Sequence, residues 1–268
     1  VVLDTREDKN SELINEAKDL DIKIKFSFAV IVAHGYKKVK SATIGKLNKD
    51  KIDFENTEQI DCDSICVSGF WTPTVHLASQ SGNKLKFNDS IDAFVPDKSK
   101  QNEHSLGSAN GTFTLQDTLK NSFNTGSEVS KSITKKDEKI QIPNTNERKY
   151  SAHDKFWCMP LPKNENPKRF VDFQNDVAVS DIELALREGY RSIEHVKRYT
   201  TLGMATDQGR TSNLNGLQLV ANVEKKIVPQ VGHTTFRPPF TPVTIGKIVG
   251  REIGKKYNPT RKTPKQQW

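Results

Sequence analysis

The sequence predicts an α/β fold in which a Rossmann-like region is followed by a small, mostly α-helical domain. Two patterns in the 268 residues lead to this prediction. Across 1–121, short apolar runs surround an amphipathic segment, as strands surround a crossover helix. Across 166–248, apolar residues recur at helical spacing instead. The stretch 122–165 is polar until the apolar run Phe156–Pro162, so we predict a polar linker that ends in an apolar strap.

The first region has the element order of the last part of a nucleotide-binding unit. An amphipathic helix is predicted at Ser11–Leu20. Apolar or alternating runs predict strands at Val1–Arg6, Ile22–Gly35, 38–47, 51–55 and 60–71. Strand, helix, strand and then a meander is the order of two-dinucleotide-binding flavoproteins. The Gly-rich fingerprint that begins such a unit does not occur in the sequence, so we expect the chain to be the middle of a longer polypeptide.

The segment Leu106–Lys120 combines glycines with a following helical pattern. Gly107 and Gly111 allow a close approach of the backbone, and free N–H groups at a helix start attract anions. This pattern favours contact with the pyrophosphate or ribose of a dinucleotide. An ordinary strand-to-helix turn explains the same residues, and both interpretations stay open on the residues alone.

The second region is predicted to hold three or four helices. Ser180 and Glu183 predict a capping box for the first helix, and Gly189 ends it. The helices are predicted at Ser180–Glu188, Ser192–Thr200 and 211–223. The residues expected to face inward are Ile182, Ala185, Leu186, Ile193 and Val196.

Charge and composition argue against several classes of protein. The net charge is +8 and the pI about 9.2, but the lysines are scattered, so we expect no nucleic acid partner. No apolar run approaches the ~18 residues of a membrane-spanning helix, so we expect no membrane partner. Cys62, Cys66 and Cys158 have neither disulfide nor zinc spacing, and we expect them in or near the core of a cytoplasmic protein.

The sequence contains no evident catalytic or metal-binding set. The histidines His34, His104, His153 and His233 are isolated from one another. His76 lies among apolar residues, where a structural histidine is the usual finding. No pair of carboxylates, and no nucleophile with a base, is spaced in a recognisable way. We therefore predict no catalytic residue and no metal site.

The stretch Lys168–Gly209, together with the four residues after it, resembles small iron–sulfur domains of the bacterioferritin-associated ferredoxin type. It reads K-R-F-V-D-F-Q-N-D-V, then a helical pattern, then H-V-K-R-Y-T-T-L-G-M-A-T-D-Q-G-R-T-S-N. Those domains carry four cysteines, and the corresponding positions here are Asp172, Gln174, Asp207 and Ser212. Iron–sulfur clusters need thiolate ligands. The resemblance therefore implies a domain of this scaffold without an iron–sulfur cluster.

Three further segments extend the resemblance to one family. They are S-G-F-W-T-P-T-V-H-L-A-S-Q-S-G-N-K-L (Ser68–Leu85), H-T-T-F-R-P-P-F-T-P-V-T (His233–Thr244) and R-K-T-P-K-Q-Q-W (Arg261–Trp268). All are similar to segments of the alpha subunit of heterotetrameric sarcosine oxidase. The resemblance implies an enzyme complex that demethylates sarcosine to glycine. Tetrahydrofolate would accept the one-carbon unit as 5,10-methylenetetrahydrofolate, and O2 would give H2O2.

The same resemblance implies cofactors and partners. These are NAD on the alpha chain, FMN at the alpha–beta interface, FAD in a partner subunit, and beta, gamma and delta subunits. Residues 249–268 would lead to a tetrahydrofolate-binding domain. The implied NAD contacts are Gly107, Ser108, Gly111, Phe113 and Leu115. The implied FMN contacts are Thr200, Thr201, Asp207, Gln208 and Thr211.

Alternatives stay open for each of these interpretations. The basic end of the helix before Thr200 is favoured by the helix dipole alone. Arg237, between Phe236 and Phe240, would either hold an interdomain or intersubunit surface or belong to a plain connector. The chain would otherwise be part of another amine or imino-acid dehydrogenase, such as a proline or opine dehydrogenase. A third alternative is that the helical domain is a non-catalytic docking module.

Overall fold

The structure is a computed structural model that describes residues 1–7, 11–48, 51–69, 71–136, 141–146, 156–162, 166–239 and 241–256. Within these ranges the chain forms eight α-helices and four small β-sheets. This mixture confirms the predicted mixed α/β class. The predictions that concern His153, Phe240 and Arg261–Trp268 lie outside these ranges.

The chain opens with the predicted strand–helix–strand unit. Its elements are β1 (Val2–Asp4), α1 (Glu12–Asp19) and β2 (Ile24–Phe26). The two strands pair in parallel, with Val2 opposite Ile24. Ser11 is the N-cap of α1, and its side chain accepts a hydrogen bond from the Ile14 N–H.

The second sheet is an antiparallel meander. Its strands are β3 (Phe28–Gly35), β4 (Val39–Asn48) and β5 (Lys51–Asp61), in that spatial order. The single strand predicted over Ile22–Gly35 is instead divided at Ser27, which has a φ of 55°. The Ser27 N–H donates to the Arg6 carbonyl at 2.8 Å, and its own carbonyl accepts from the Leu47 N–H at 2.6 Å. This left-handed residue therefore connects the two sheets.

The strand predicted over 60–71 is wrong beyond Asp61, where β5 ends. No strand in the described ranges pairs with 62–69. Val67 is 87% exposed, and Cys66 is exposed although we expected it in or near the core. An apolar run becomes a strand only where a neighbouring strand completes its hydrogen bonds.

A short helix, a hairpin and a 3-10 turn lead from the meander to a long helix. The elements are α2 (His76–Gln80), β6 (Leu85–Asn88), β7 (Ala93–Pro96), the 3-10 turn Gly107–Asn110, and α3 (Leu115–Thr134). The helix predicted after the glycine segment is confirmed, but it continues far past residue 121. The first part of the predicted polar linker is therefore helical. No residue of α3 is buried, so a polar composition that is unsuited to a core is compatible with this surface helix.

The segment predicted as an apolar strap, Phe156–Pro162, lies against two buried cores. Phe156 and Met159 pack against the buried core of the meander. Cys158 packs against the core of the helical domain. The Arg169 guanidinium donates a hydrogen bond to the Met159 carbonyl at 3.1 Å. The strap therefore contacts both cores.

The helical domain begins with a short hairpin. Its elements are β8 (Phe170–Asp172), β9 (Val177–Ala178), α4 (Val179–Arg187), α5 (Ile193–Thr200), α6 (Asn213–Glu224), α7 (Val228–Val231) and α8 (Ile245–Val249). All the residues predicted to face inward are buried, which confirms the helical pattern: Ile182, Ala185, Leu186, Ile193 and Val196.

The predicted cap of α4 is wrong by two residues. The N-cap is Ala178, and Ser180 lies within the first helical turn. The Asp181 carboxylate accepts a hydrogen bond from the Ala178 N–H at 2.8 Å. Asp181 therefore has the capping role that was predicted for Glu183. Glu183 instead lies 3.7 Å from the Arg169 guanidinium. The helix begins directly after β9, at Val179, and therefore earlier than the spacing of Ser180 and Glu183 predicts.

Within the ranges given above, no helix combines the length and the apolar content needed to cross a bilayer. Those ranges also contain no group of three His, Cys, Asp or Glu side chains arranged to hold a metal ion.

Candidate functional site

The turn between α5 and α6 (201–212) lies against the β8–β9 hairpin. Asp172, the last residue of β8, is 2% exposed. Its Oδ2 accepts hydrogen bonds from the Gly203 N–H at 2.8 Å and from the Ser212 hydroxyl at 3.3 Å. Two of the four positions predicted from the iron–sulfur pattern, Asp172 and Ser212, are thus in direct contact.

The other two predicted positions, Gln174 and Asp207, also belong to this junction. Gln174 Oε1 accepts a hydrogen bond from the Thr206 hydroxyl at 3.0 Å. The Asp207 carboxylate accepts from the Gly209 N–H at 3.0 Å and from the Thr211 hydroxyl at 2.9 Å. The structure therefore gathers all four positions around one turn.

The residues implied to contact FMN lie in or beside the same turn. The Thr200 hydroxyl donates to a carbonyl of the preceding helical turn at 2.8 Å, and the Thr201 hydroxyl donates to the Thr200 carbonyl at 2.5 Å. Gln208 donates from its side-chain amide to the Pro239 carbonyl. Thr201 and Thr211 are exposed. The hydroxyl protons of Thr201 and Thr211 are used inside the protein, and each oxygen keeps the capacity to accept a hydrogen bond.

Two exposed hydrophobic side chains flank the turn. Phe173 follows Asp172 directly and is 83% exposed, and Met204 follows Gly203 directly and is 55% exposed. The hydrogen bond between Asp172 and Gly203 therefore fixes the backbone beside both. An apolar and polar surface of this kind is typical of a contact with a ligand or another protein.

A basic group lies at the end of α5. The Lys197 ammonium donates to the Thr235 carbonyl at 3.3 Å, and the Thr235 N–H donates to Glu194 Oε1 at 2.5 Å. Burial lowers the pKa of Lys197, Glu194 opposes this, and the nearby Arg237 and Arg198 lower the pKa further. Arg237 and Arg198 thus both act on Lys197, and the Glu194 carboxylate, 3.4 Å from the Arg198 guanidinium, offsets part of this positive charge.

The residues implied to contact NAD surround the 3-10 turn and the start of α3. Gly107 and Gly111 have φ values of 60° and 76°. A Cβ on Gly111 would lie 2.6 Å from Ile91 Cδ1, so its backbone conformation and its packing already require glycine. The other three implied residues are exposed: Ser108, Phe113 and Leu115.

A cleft of about 870 Å³ lies beside this segment. Leu106 and Asn110 line it, together with the second half of α3 and the chain after β7. Its polar wall includes Glu103, which accepts hydrogen bonds from the Ser81 hydroxyl at 2.7 Å and from the Asn83 amide. None of the five implied NAD contacts lines the cleft, although Leu106 and Asn110, on either side of Gly107 and Ser108, do.

The short segment Thr74–His76, which leads into α2, touches both implied cofactor regions. The Thr74 N–H donates to the Ser108 carbonyl at 3.3 Å. The buried His76 imidazole lies 3.4 Å from the Gln208 carbonyl oxygen and packs on Phe236, with ring centroids 4.0 Å apart. Burial, together with the charge of Arg210, lowers the pKa of His76. The imidazole is therefore neutral at neutral pH and serves a structural contact.

The sequence did not single out Asn213, which the structure places at the centre of the turn. Asn213 is 7% exposed and donates to the Thr234 hydroxyl at 3.0 Å and to the Gln208 carbonyl at 3.4 Å. A Cβ on Gly203 or on Gly209 would lie 2.1 Å from its Oδ1. The pattern that could have indicated this role is the pair Gly203 and Gly209 shortly before an asparagine at a helix start.

Comparison with known proteins shows what this sequence is similar to. Residues 166–251 match the family described as the sarcosine oxidase A3 domain. The sarcosine oxidase subunit alpha of Rhizobium meliloti (strain 1021) is 36% identical over 213 residues, which are 79% of this chain. The chain is a relative of sarcosine oxidase alpha subunits. The subunit alpha of Corynebacterium sp. (strain P-1) is 32% identical over 236 residues, 86% of this chain.

The chain spans only part of these sarcosine oxidase alpha subunits, 21% and 24% of their lengths. Among solved structures, the L-proline dehydrogenase from P. horikoshii superimposes with a TM-score of 0.60 over 88% of this chain and 47% of that protein. The two sequences are 19% identical, so this likeness concerns the fold.

Proposed function

We propose that the chain is the central part of a sarcosine oxidase alpha subunit, within an oxidoreductase complex that acts on the CH–NH bond of sarcosine. The observation that carries this proposal is the sarcosine oxidase A3 match over 166–251, which covers the whole 201–212 turn and its buried contacts. The complex would form glycine, 5,10-methylenetetrahydrofolate and H2O2. This part of the chain would supply cofactor-binding surfaces rather than a catalytic acid or base.

The 201–212 turn fits a contact with FMN. Bound FMN supplies an electron acceptor and donor. The basic group Lys197, Arg198 and Arg237 would neutralise its phosphate. The exposed oxygens of Thr201 and Thr211 accept hydrogen bonds, and Met204 offers apolar contact to a ring. The chain's own role is to position these groups at the interface with a beta subunit.

The segment after Gly107 fits the sugar of NAD better than its pyrophosphate. The first turn of α3 is already capped, because the Asp117 N–H donates to the Thr114 hydroxyl at 3.2 Å and this hydroxyl donates to Asp117 Oδ2 at 2.7 Å. The carboxylate would repel an anion at that helix start. Ser108 and the exposed Phe113 instead offer a hydroxyl and an aromatic surface, which suit a ribose and a nicotinamide ring.

Enzyme assays of the complete complex test this proposal. The full-length alpha chain is purified with the beta, gamma and delta subunits, and H2O2 is measured with sarcosine as substrate. We expect sarcosine-dependent H2O2 and, with tetrahydrofolate present, 5,10-methylenetetrahydrofolate. Proline and an opine serve as comparison substrates, because turnover of either one in place of sarcosine would contradict the assignment.

A further inference from the structure

The buried Asp172 carboxylate is bonded entirely to neutral groups. Its Oδ1 accepts from the Gln174 N–H at 3.0 Å and from the Asn175 N–H at 3.4 Å, and its Oδ2 accepts from Gly203 and Ser212. No ion pair within the described ranges involves this carboxylate. A buried charge held only by hydrogen bonds is costly when those donors move away. The carboxylate therefore fixes the hairpin and the 201–212 turn to one another.

The opposite side of the turn is held by Asn213. Its carboxamide lies between Gly203 and Gly209, which have φ values of 66° and 74°. The Oδ1 atom has no N–H or O–H donor in the part of the chain that the structure describes. A Cβ built on either glycine would lie 2.1 Å from this atom, so the carboxamide fills the space that a side chain would need there. Any side chain at either glycine would displace it.

Asp172 and Asn213 thus hold Gly203 from two sides. Asp172 bonds to its N–H, and Asn213 occupies the space beside its Cα. The next residue, Met204, is the exposed apolar side chain of the turn. A shift of Gly203 would therefore move Met204 and change the surface that the turn presents.

We infer that Asp172 and Asn213 are positioning residues that hold the 201–212 turn in its FMN-binding shape. This inference rests on the proposed contact between the turn and FMN. The carboxylate and the carboxamide fill the centre of the turn and organise it from within. The two residues do not touch the cofactor; they act through Gly203, Met204 and the exposed threonines.

The test uses the full-length alpha chain in its complex and compares Asp172→Asn with Asp176→Asn. An amide at 172 turns an NH2 group toward donors and loses acceptor sites, whereas Asp176 is exposed on the same hairpin. We expect amide exchange across 201–212 to accelerate by about tenfold or more in Asp172→Asn. Exchange at Ile182 and Leu217 stays unchanged, and FMN content falls. Asp176→Asn changes none of these.

Two further variants keep the test decisive if Asp172→Asn does not fold. Ser212→Ala removes one hydrogen-bond donor to the Asp172 carboxylate and leaves the three backbone N–H donors in place. Asn213→Ala empties the space beside both glycines. Each is expected to accelerate exchange in the turn and lower FMN content to a smaller extent. Unchanged exchange in the turn of these variants overturns the inference.

The outcomes also separate this inference from the proposed function. The double variant Thr201→Ala, Gln208→Ala tests the FMN contact itself. If the double variant loses FMN while Asp172→Asn loosens the turn and retains FMN, positioning is wrong and the FMN contact stands. If both variants retain FMN, the FMN contact is wrong, and the inference that depends on it is overturned as well.

Discussion

His76 and Gln208 are joined by a contact of 3.4 Å between the imidazole Nε2 and the backbone carbonyl oxygen, across 132 residues of sequence. Two residues before His76, Thr74 is bonded through its N–H to the carbonyl of Ser108. The segment Thr74–His76 therefore contacts the region implied for NAD and the turn implied for FMN. One short stretch of chain therefore links these two surfaces.

The His76 contact predicts a loss of stability at mildly acidic pH. Because the pKa of His76 is lowered in the folded protein, the unfolded chain binds the proton first as the pH falls. The free energy of unfolding should therefore be fully retained above about pH 6.5 and decrease below it, down to the folded pKa. His76→Gln keeps a side-chain donor and cannot titrate. We expect it to remove this part of the pH dependence in urea titrations.

The exposed His104 is the control for this experiment. His104→Gln should leave the decrease of stability below about pH 6.5 in place. If His76→Gln retained the full pH dependence of the wild-type protein, the titration of His76 would not be its cause.

Two glycines with different surroundings predict opposite effects of the same substitution. Gly111 has a positive φ, and a Cβ there would lie 2.6 Å from Ile91 Cδ1. Gly111→Ala should destabilise the protein by ~1–3 kcal/mol. Gly126 is inside α3 with nothing within 4 Å of a Cβ, so Gly126→Ala should stabilise it by ~0.4–1 kcal/mol. Thermal unfolding of both variants measures the difference, and shifts of the same sign would contradict the packing around Gly111.

Local patterns in the sequence predicted those elements whose hydrogen bonds and apolar faces are set by nearby residues. Ser11 and the apolar residues of α1 predicted that helix, and Ile182 and Val196 predicted buried helix faces. The break at Ser27 was not predictable, because it depends on bonds to Arg6 and Leu47 from two other parts of the chain. The apolar run around Val67 failed as a strand for the same reason: its hydrogen bonds need a neighbour.

For the candidate region, the sequence indicated some of the residues that come together and not the contacts that hold them. The family pattern drew attention to Asp172 and Ser212, which the structure brings into contact. The sequence did not predict that Asp172 also accepts a hydrogen bond from the Gly203 N–H. Almost every residue has a backbone N–H, so its partner cannot be inferred from residue type. Asn213 was not predicted, because its bonds to Thr234 and to the Gln208 carbonyl depend on the tertiary fold.

The contact between Asp172 and Ser212 predicts that the helical domain binds no iron–sulfur cluster. A carboxylate and a hydroxyl occupy two of the four positions where such clusters have thiolates, and their atoms bond to each other and to Gly203. We expect the purified complex to contain no iron or acid-labile sulfide in stoichiometric amount with the alpha chain. Chemical analysis of both elements checks this. A bound cluster in the alpha chain would show that the domain uses other ligands.

The side chains of Thr201 and Gln208 are predicted to contribute to FMN retention. Hydrogen bonds between neutral groups contribute about 0.5–1.5 kcal/mol each, so losing two should weaken FMN binding by about tenfold or more. The alternative, a basic helix end stabilised by its dipole, predicts a small loss of stability and no effect on flavin. The double variant Thr201→Ala, Gln208→Ala in the full complex separates the two.

Three measurements on this double variant decide the outcome: FMN content, electron transfer from the flavin of the beta subunit, and a thermal unfolding curve. Gln218→Ala is the matched control, because Gln218 lies in the same domain and bonds only to Asn222 among the hydrogen bonds described for its side chain. We expect the control to retain FMN and the double variant to lose it. Normal electron transfer with a lowered melting temperature would leave a purely structural role for the turn, because the internal bonds of Thr201 and Gln208 would then account for the whole effect.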